Sequence, residues 1–167
     1  MRLARWLRHC WHDAADARRA LGDAALQRLH DRVAASERRH SGEIRVCVEA
    51  GLPLSYLWRG LGARERALAM FGTLRVWDTE HDNGVLVYLL LADRAIEIVA
   101  DRGLASRVPQ GHWDTLVATM GDAFRSGRFE AGLAQAVDAV GALLERHFPL
   151  APGDDNPNEL PDAVDLR

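Results

Sequence analysis

The sequence predicts an α/β fold, a three-layer α/β/α sandwich whose small mixed sheet contains a central β-hairpin. Two observations carry most of that prediction. Val85 to Ala92 is the longest continuous apolar run, and eight such residues in a row read as a strand covered on both faces. A tight turn at Ala92-Asp93-Arg94 then leads into a second strand over 95–101, which makes a hairpin of residues 84–101. A third observation supplies the outer layers, since apolar residues at three- and four-residue spacing flank this hairpin on both sides in the sequence.

In chain order, Leu3, Trp6, Leu7, Cys10 and Trp11 fall on one helical face bordered by Arg2, Arg5 and Arg8, so residues 1–20 are expected to contain an amphipathic helix. A basic, Trp-bearing helix of this kind can lie in a membrane interface, or its apolar face can pack on the domain or on a second copy. A helix follows from about Asp23, expected to cap it, through Leu26, Leu29 and Val33 to Ser41-Gly42. Ile44, Val46 and Val48 alternate with Arg45, Cys47 and Glu49, the period of a strand. Residues 52–62, with Pro53, Gly60 and Gly62, read as a loop, and residues 63–74 as a second amphipathic helix. After the hairpin, Trp113 to Phe124 and Phe129 to Leu144 mark two further helices, separated at Ser126-Gly127 and stopped at Phe148-Pro149. The first strand and the run from Val85 are joined through a helix, which favours a parallel crossover.

Composition places the chain among single globular domains. Its 167 residues are 48% hydrophobic and 27% charged, and 21–149 is expected to be one α/β domain. Residues 150–167 are rich in acid and proline and are expected to be a disordered tail. No apolar stretch follows the first arginines as in a secretory leader, and no run approaches the roughly 20 residues needed to span a bilayer. The expected location is the cytoplasm, peripheral to a membrane. The net charge is −3, which disfavours nucleic acid as a partner, because phosphate binding needs a concentrated basic surface. Nine arginines in residues 1–40 against five acids in 150–167 make a basic head and an acidic tail, which can pair together or meet separate partners.

The candidate chemistry lies at the open end of the hairpin. Centring the turn on Asp93 pairs Val85 with Asp101 and Gly84 with Arg102, within a residue of register. Asp101 then returns beside Asp82 and Asn83. A parallel strand at Ile44 brings Glu43 to the same end, with Asp78 and Glu80 in the preceding loop. Crowded carboxylates repel unless a cation or a proton sits among them, and hard divalent ions prefer all-oxygen sites. Calcium or magnesium is the physical reading. The bland alternative is that Asp and Asn before a strand are ordinary turn residues and Asp101 faces solvent. The loop 78–82 does not follow the EF-hand pattern, and no GxSxG, HExxH, P-loop or GxGxxG occurs. His9 and His12 have a spacing that can bind metal, yet their neighbours suggest a packing helix. His40 and His81 read as solvated residues at loop ends.

From Ser41-Gly42-Glu43 to about Phe148 the chain resembles the TPM domain, the family of the thylakoid-lumen photosystem II repair phosphatase and its bacterial relatives. The resemblance is carried by Glu43-Ile44, Asp82-Asn83-Gly84-Val85, Asp93-Arg94 in the turn, Gly103, Phe124, Gly127 and Gly132-Leu133. It implies an α/β/α sandwich, a calcium or similar site of acidic residues, a proposed acid phosphatase activity and links to the assembly or maintenance of membrane proteins. Many relatives carry a signal peptide and a C-terminal transmembrane segment, so the chain looks like a short soluble bacterial branch. On this reading Asp82, Asn83, Asp101, Glu43 and Asp78 are the metal candidates and Arg102 the candidate phosphate contact. The catalytic residue is left open, since no obvious nucleophile is present. This end of the sheet is the amino end of the parallel strands, whereas open α/β sheets usually bind ligands at their carboxyl ends.

Overall fold

The fold is that of a computed structural model, which describes His9, residues 14–151, Gly153 and residues 157–167. Its centre is the predicted hairpin. Strand β1 (Ile44–Glu49) runs parallel to β2 (Val85–Leu90), and β2 pairs antiparallel with β3 (Ala95–Ala100). Every residue of β2 is buried, as a continuous apolar run requires. The observed register pairs Val85 with Ala100, one residue from the expected one. Asp101 still closes the hairpin, because its N–H donates to the Gly84 carbonyl at 2.9 Å.

Helices cover both faces of the sheet. On one side, Ile44, Val46, Val48, Val85, Val87 and Leu89 pack with Leu29 and Val33 of α2 (Asp23–Glu37), Met120 and Phe124 of α6 (Gln110–Arg125) and Leu133 and Val137 of α7 (Phe129–His147). On the other side, Cys47, Leu86, Tyr88 and Leu90 meet Leu57 of α3 (Leu54–Arg59) and Ala67 and Met70 of α4 (Ala63–Thr73). The remaining helices are α1 (Ala14–Leu21) and the one-turn α5 (Arg102–Ala105). This is the expected three-layer arrangement. Among the described residues no helix is long and apolar enough to cross a membrane.

The elements depart from the sequence reading in three places. Residues 54–59 form α3 instead of a loop; Pro53 precedes its first turn and Gly60, at φ 69°, terminates it in the left-handed conformation glycine favours. Asp23 does not cap α2, since Gly22 holds the cap position and the Asp23 carboxylate pairs with Arg18 at 2.7 Å. The expected amphipathic helix over 1–20 lies largely outside the described residues; His9 alone is described before α1.

The third departure is the tail. Residues 157–167 are ordered against the sheet, and Asp165–Leu166 form β4, parallel to β1, giving the strand order β3-β2-β1-β4. Arg167 N–H donates to Val48 O at 3.0 Å, and the Arg167 carbonyl accepts from Ala50 N–H at 2.8 Å. Arg45 Nη1 donates to the carbonyls of Pro161 and of Ala163, the latter at 2.6 Å, and Leu160 is buried. A segment too polar to make a core of its own is held by the unpaired edge of β1 and by a buried arginine that needs acceptors.

Candidate functional site

The loop before β2 is built by close backbone approach. A Cβ on Gly84 would lie 1.9 Å from the Val76 carbonyl oxygen, and one on Gly103 would lie 2.5 Å from the carbonyl oxygens of both His81 and Asp82. Only glycine fits either position. Gly103 N–H donates to Asp82 O at 2.8 Å, and Asp82 itself adopts φ 51°, a left-handed conformation that Asp tolerates better than most residues. The loop 79–83 is thereby clamped onto the segment that leaves β3.

That clamp sets the side chains. Asp101 caps α5, its Oδ1 accepting from Arg102 N–H at 2.7 Å. Its Oδ2 is buried and meets no donor among the described residues. Asn83 is fully buried; its N–H donates to Thr79 Oγ1 at 3.1 Å and its Nδ2 to Ser41 O at 3.1 Å, while Oδ1 has no donor among the described residues. The Asp82 carboxylate is gripped from two sides of one guanidinium, Arg102 Nε at 3.0 Å from Oδ2 and Nη2 at 3.1 Å from Oδ1. Two carboxylates and one guanidinium thus share the open end of the hairpin, together with a buried amide oxygen.

The other predicted residues are distributed differently. Glu43 lies at the same end, its carbonyl accepting from Val85 N–H at 2.8 Å, but its buried carboxyl turns to the C-terminal segment and accepts from Leu160 N–H at 3.2 Å. Burial, with Glu159 and Asp162 nearby, pushes that carboxyl up to about 7; its Oε1 also lacks a donor among the described residues. Asp78 is exposed and pairs with Arg75 at 2.6 Å, within its own loop. Glu80 offers its N–H to Glu159 at 3.0 Å. Asp93 and Arg94 form the expected turn at the far end of the hairpin, where Arg94 has φ 50° and its N–H reaches Leu91 O at 3.0 Å. Among the described residues, no three His, Cys, Asp or Glu side chains are grouped as a metal site.

Two histidines have structural duties the sequence reading did not assign. His9 is buried and accepts from Leu52 N–H on Nδ1 at 2.9 Å, so Nε2 carries the proton and donates to Asp93 Oδ1 at 3.1 Å. His12 lies outside the described residues. His40, expected in solvent, is fully buried: Nδ1 donates to Gly42 O at 3.0 Å and Nε2 accepts from Ser36 Oγ at 2.9 Å, and burial pulls its pKa down to about 4. His81 is exposed, as expected. Glu37 was overlooked as well. It ends the buried stripe Ala25, Leu29, Val33 of α2, accepts from Ile44 N–H at 2.8 Å, and is pushed up to about 9 by burial. Continuing that stripe by four residues would have found it.

Comparison with known proteins agrees with this architecture. Among curated proteins none matches the chain. Among solved structures, the BA42 protein of the psychrophilic bacterium Bizionia argentinensis is 28% identical, with a TM-score of 0.75 over 87% of this chain and 94% of that one. The N-terminal domain of a protein from P. gingivalis is alike in fold, with a TM-score of 0.62 at 22% identity over 82% of this chain and 90% of that one. The family profile of the TPM domain matches residues 14–143, from α1 through nearly all of α7, and the chain belongs to the TPM-domain family.

Proposed function

We propose that the open end of the β2–β3 hairpin binds a divalent cation, calcium in preference to magnesium, through the Asp101 and Asp82 carboxylates and the Asn83 amide oxygen. The observation that carries this reading is the pair of buried acceptors that meet no donor among the described residues, Asp101 Oδ2 and Asn83 Oδ1. A buried acceptor left unmatched costs about 1–3 kcal/mol, and more when charged. A hard cation is a partner that needs no donor hydrogen. Calcium suits an amide oxygen and carboxylates in irregular array, whereas magnesium demands a near-ideal octahedron. Glu43 and Asp78 stand outside this ligand set, the first engaged with Leu160 and the second with Arg75.

Thermal unfolding with calcium, magnesium or manganese tests the reading. An ion at 100 times its dissociation constant stabilises by about 2.7 kcal/mol, which for a domain of this size raises Tm by roughly 5–10 °C. The combined Asp82→Asn and Asp101→Asn variant should lose the rise. No rise with any of the three ions in the unsubstituted protein refutes it.

Phosphate monoester hydrolysis is proposed as a weaker capacity of the same end, supported by the family likeness and by the exposed Arg102 as a contact for the phosphate. A bound cation would supply Lewis-acid polarisation of the ester. Calcium-dependent release of a chromogenic phenolate, lost in the double variant, is the expected result; equal turnover in both proteins excludes this end as its source.

A second reading, a non-catalytic module that docks on a membrane protein or membrane surface, is favoured by large apolar side chains that face outward. Trp58 is 79% exposed, and Leu54 and Trp77 are about half exposed. Trp58→Ala with Trp77→Ala should abolish cosedimentation with anionic vesicles without lowering Tm; unchanged sedimentation rejects it.

A further inference from the structure

We propose that Arg102 is a built-in counter-cation of the hairpin end, holding the Asp82 carboxylate until a divalent ion displaces it, so that ion binding releases an arginine side chain for an anion. The inference rests on the cation reading above and concerns what that reading requires of this chain's own residues. Both oxygens of Asp82 are taken by the guanidinium, at 3.0 and 3.1 Å. An ion seated in the fork of the carboxylate needs the lone pairs the guanidinium now uses, and the two positive charges repel, so the two cations compete.

The geometry decides which partner moves. Asp82 is fixed through its main chain: its carbonyl is bound to Gly103 N–H, and the glycine beneath it leaves no room for rearrangement, since even a Cβ there would lie 2.5 Å from two carbonyl oxygens. The Arg102 backbone is likewise fixed by the bond from its N–H to Asp101 Oδ1. What remains free is the Arg102 side-chain arm, 82% exposed against 40% for Asp82. Releasing such an exposed pair costs little, because water solvates the freed guanidinium. The main-chain bonds that orient Asp101, Asn83 and Asp82 survive the release.

The arm pivots within the same turn that holds the ion ligands. A freed guanidinium there keeps its planar donor fork and can bind a phosphate or carboxylate in a bidentate manner. Calcium and such an anion should therefore bind with positive coupling, and reciprocity requires each to raise the other's affinity by the same factor.

The experiment is calcium titration of the full chain by calorimetry, unsubstituted and Arg102→Gln, together with the Arg102 Nε–Hε resonance of the unsubstituted protein by NMR. Arg102→Gln should bind calcium roughly two- to fivefold more tightly, the range expected for removing an exposed ion pair. The Nε–Hε signal should move to the position of a solvated arginine as calcium is added, with the midpoint given by calorimetry. A general loss of positive charge would tighten binding without moving that signal. Calcium binding that leaves the Arg102 signal in place, or that is no tighter in Arg102→Gln, overturns the displacement while leaving the cation site standing. Absence of calcium binding in both proteins overturns the site and the displacement together.

Discussion

Replacing Glu37 by Gln should flatten the fall in stability between pH 7 and pH 8.5. The Glu37 carboxyl is 7% exposed and is pushed up to about 9, chiefly by burial, with Glu43 and Asp162 adding repulsion and the Ile44 N–H opposing it. An unfolded glutamate titrates near 4.3, so between these values the folded protein holds a proton that the unfolded chain has lost. Stability then falls as pH rises, by about 1.4 kcal/mol per pH unit for one such group. The window is set by the other shifted groups. His40, held down to about 4, lowers stability only at acid pH and has no effect above pH 7. Cys47, pushed up to about 12, begins to oppose folding only where an unfolded thiol ionises, near 8.5. Glu43, pushed up to about 7, adds a smaller fall that is complete near pH 8 and common to both proteins, so over the intervening 1.5 pH units or so the part that glutamine removes is roughly 2 kcal/mol, or about 4–8 °C in Tm. Glutamine keeps the acceptor for Ile44 N–H and offers an amide hydrogen to Asp162 in place of the carboxyl proton. Urea unfolding followed by circular dichroism at half-unit pH steps measures both slopes. Equal slopes in the two proteins, or a flat profile in the unsubstituted one, would refute a buried protonated Glu37.

Gly103→Ala should destabilise the fold by about 1–3 kcal/mol, because its Cβ meets the carbonyl oxygens of His81 and Asp82 at 2.5 Å. It should also weaken any calcium-induced rise in Tm, since those carbonyls belong to the loop that sets Asp82; an unchanged melting curve would mean the loop yields freely. Removing residues 157–167 uncovers the β1 edge, strips Arg45 of its carbonyl acceptors and takes the buried Leu160 away from the sheet. The truncated chain should lose several degrees of Tm and self-associate through the bared edge. A truncated protein that stays monomeric with the same Tm would show the strand to be a passive appendage.

The hairpin is legible in the sequence because its signal is local: eight apolar residues bounded by turn formers leave few alternatives. The side of β1 that alternates toward polar residues is misleading for the opposite reason. Arg45, Cys47 and Glu49 suggest a solvated face, yet all three are buried. Glu49 is matched by Arg66 at 2.7 Å and by the Tyr88 hydroxyl at 2.6 Å, partners 17 and 39 residues away. The tail fails similarly: Leu160, Val164 and Leu166 are too few to announce a strand, and what orders them is an edge and an arginine far off in the chain. At the site, pairing arithmetic brought Asp101 to Asp82 within one residue. The Arg102–Asp82 pair was invisible because it depends on the left-handed backbone of Asp82 and on the immediate turn into α5.

The position of this end within the sheet bears on its use. For β1 and β2 it is the amino end, where open parallel sheets seldom bind ligands. That rule has a local cause: at the carboxyl ends of strands the chain turns into helices and leaves main-chain groups and side chains facing a crevice. Here β3 runs antiparallel, so the same end is its carboxyl end. Asp101 follows the last residue of β3, where the chain turns into α5, and Gly103 in that turn receives the loop before β2. The reversed strand therefore recreates at the amino end the exit from a strand on which ligand sites of open sheets depend. Glu43, placed by parallel β1 alone, turns its side chain to the C-terminal segment, whereas Asp82 and Asp101 are held where β3 leaves the hairpin and Asn83 is tied to Ser41 and Thr79 beside them. The chemistry proposed for this domain thus follows the polarity of β3, and lengthening the β3–α5 connection should disable the site while sparing the parallel half of the sheet.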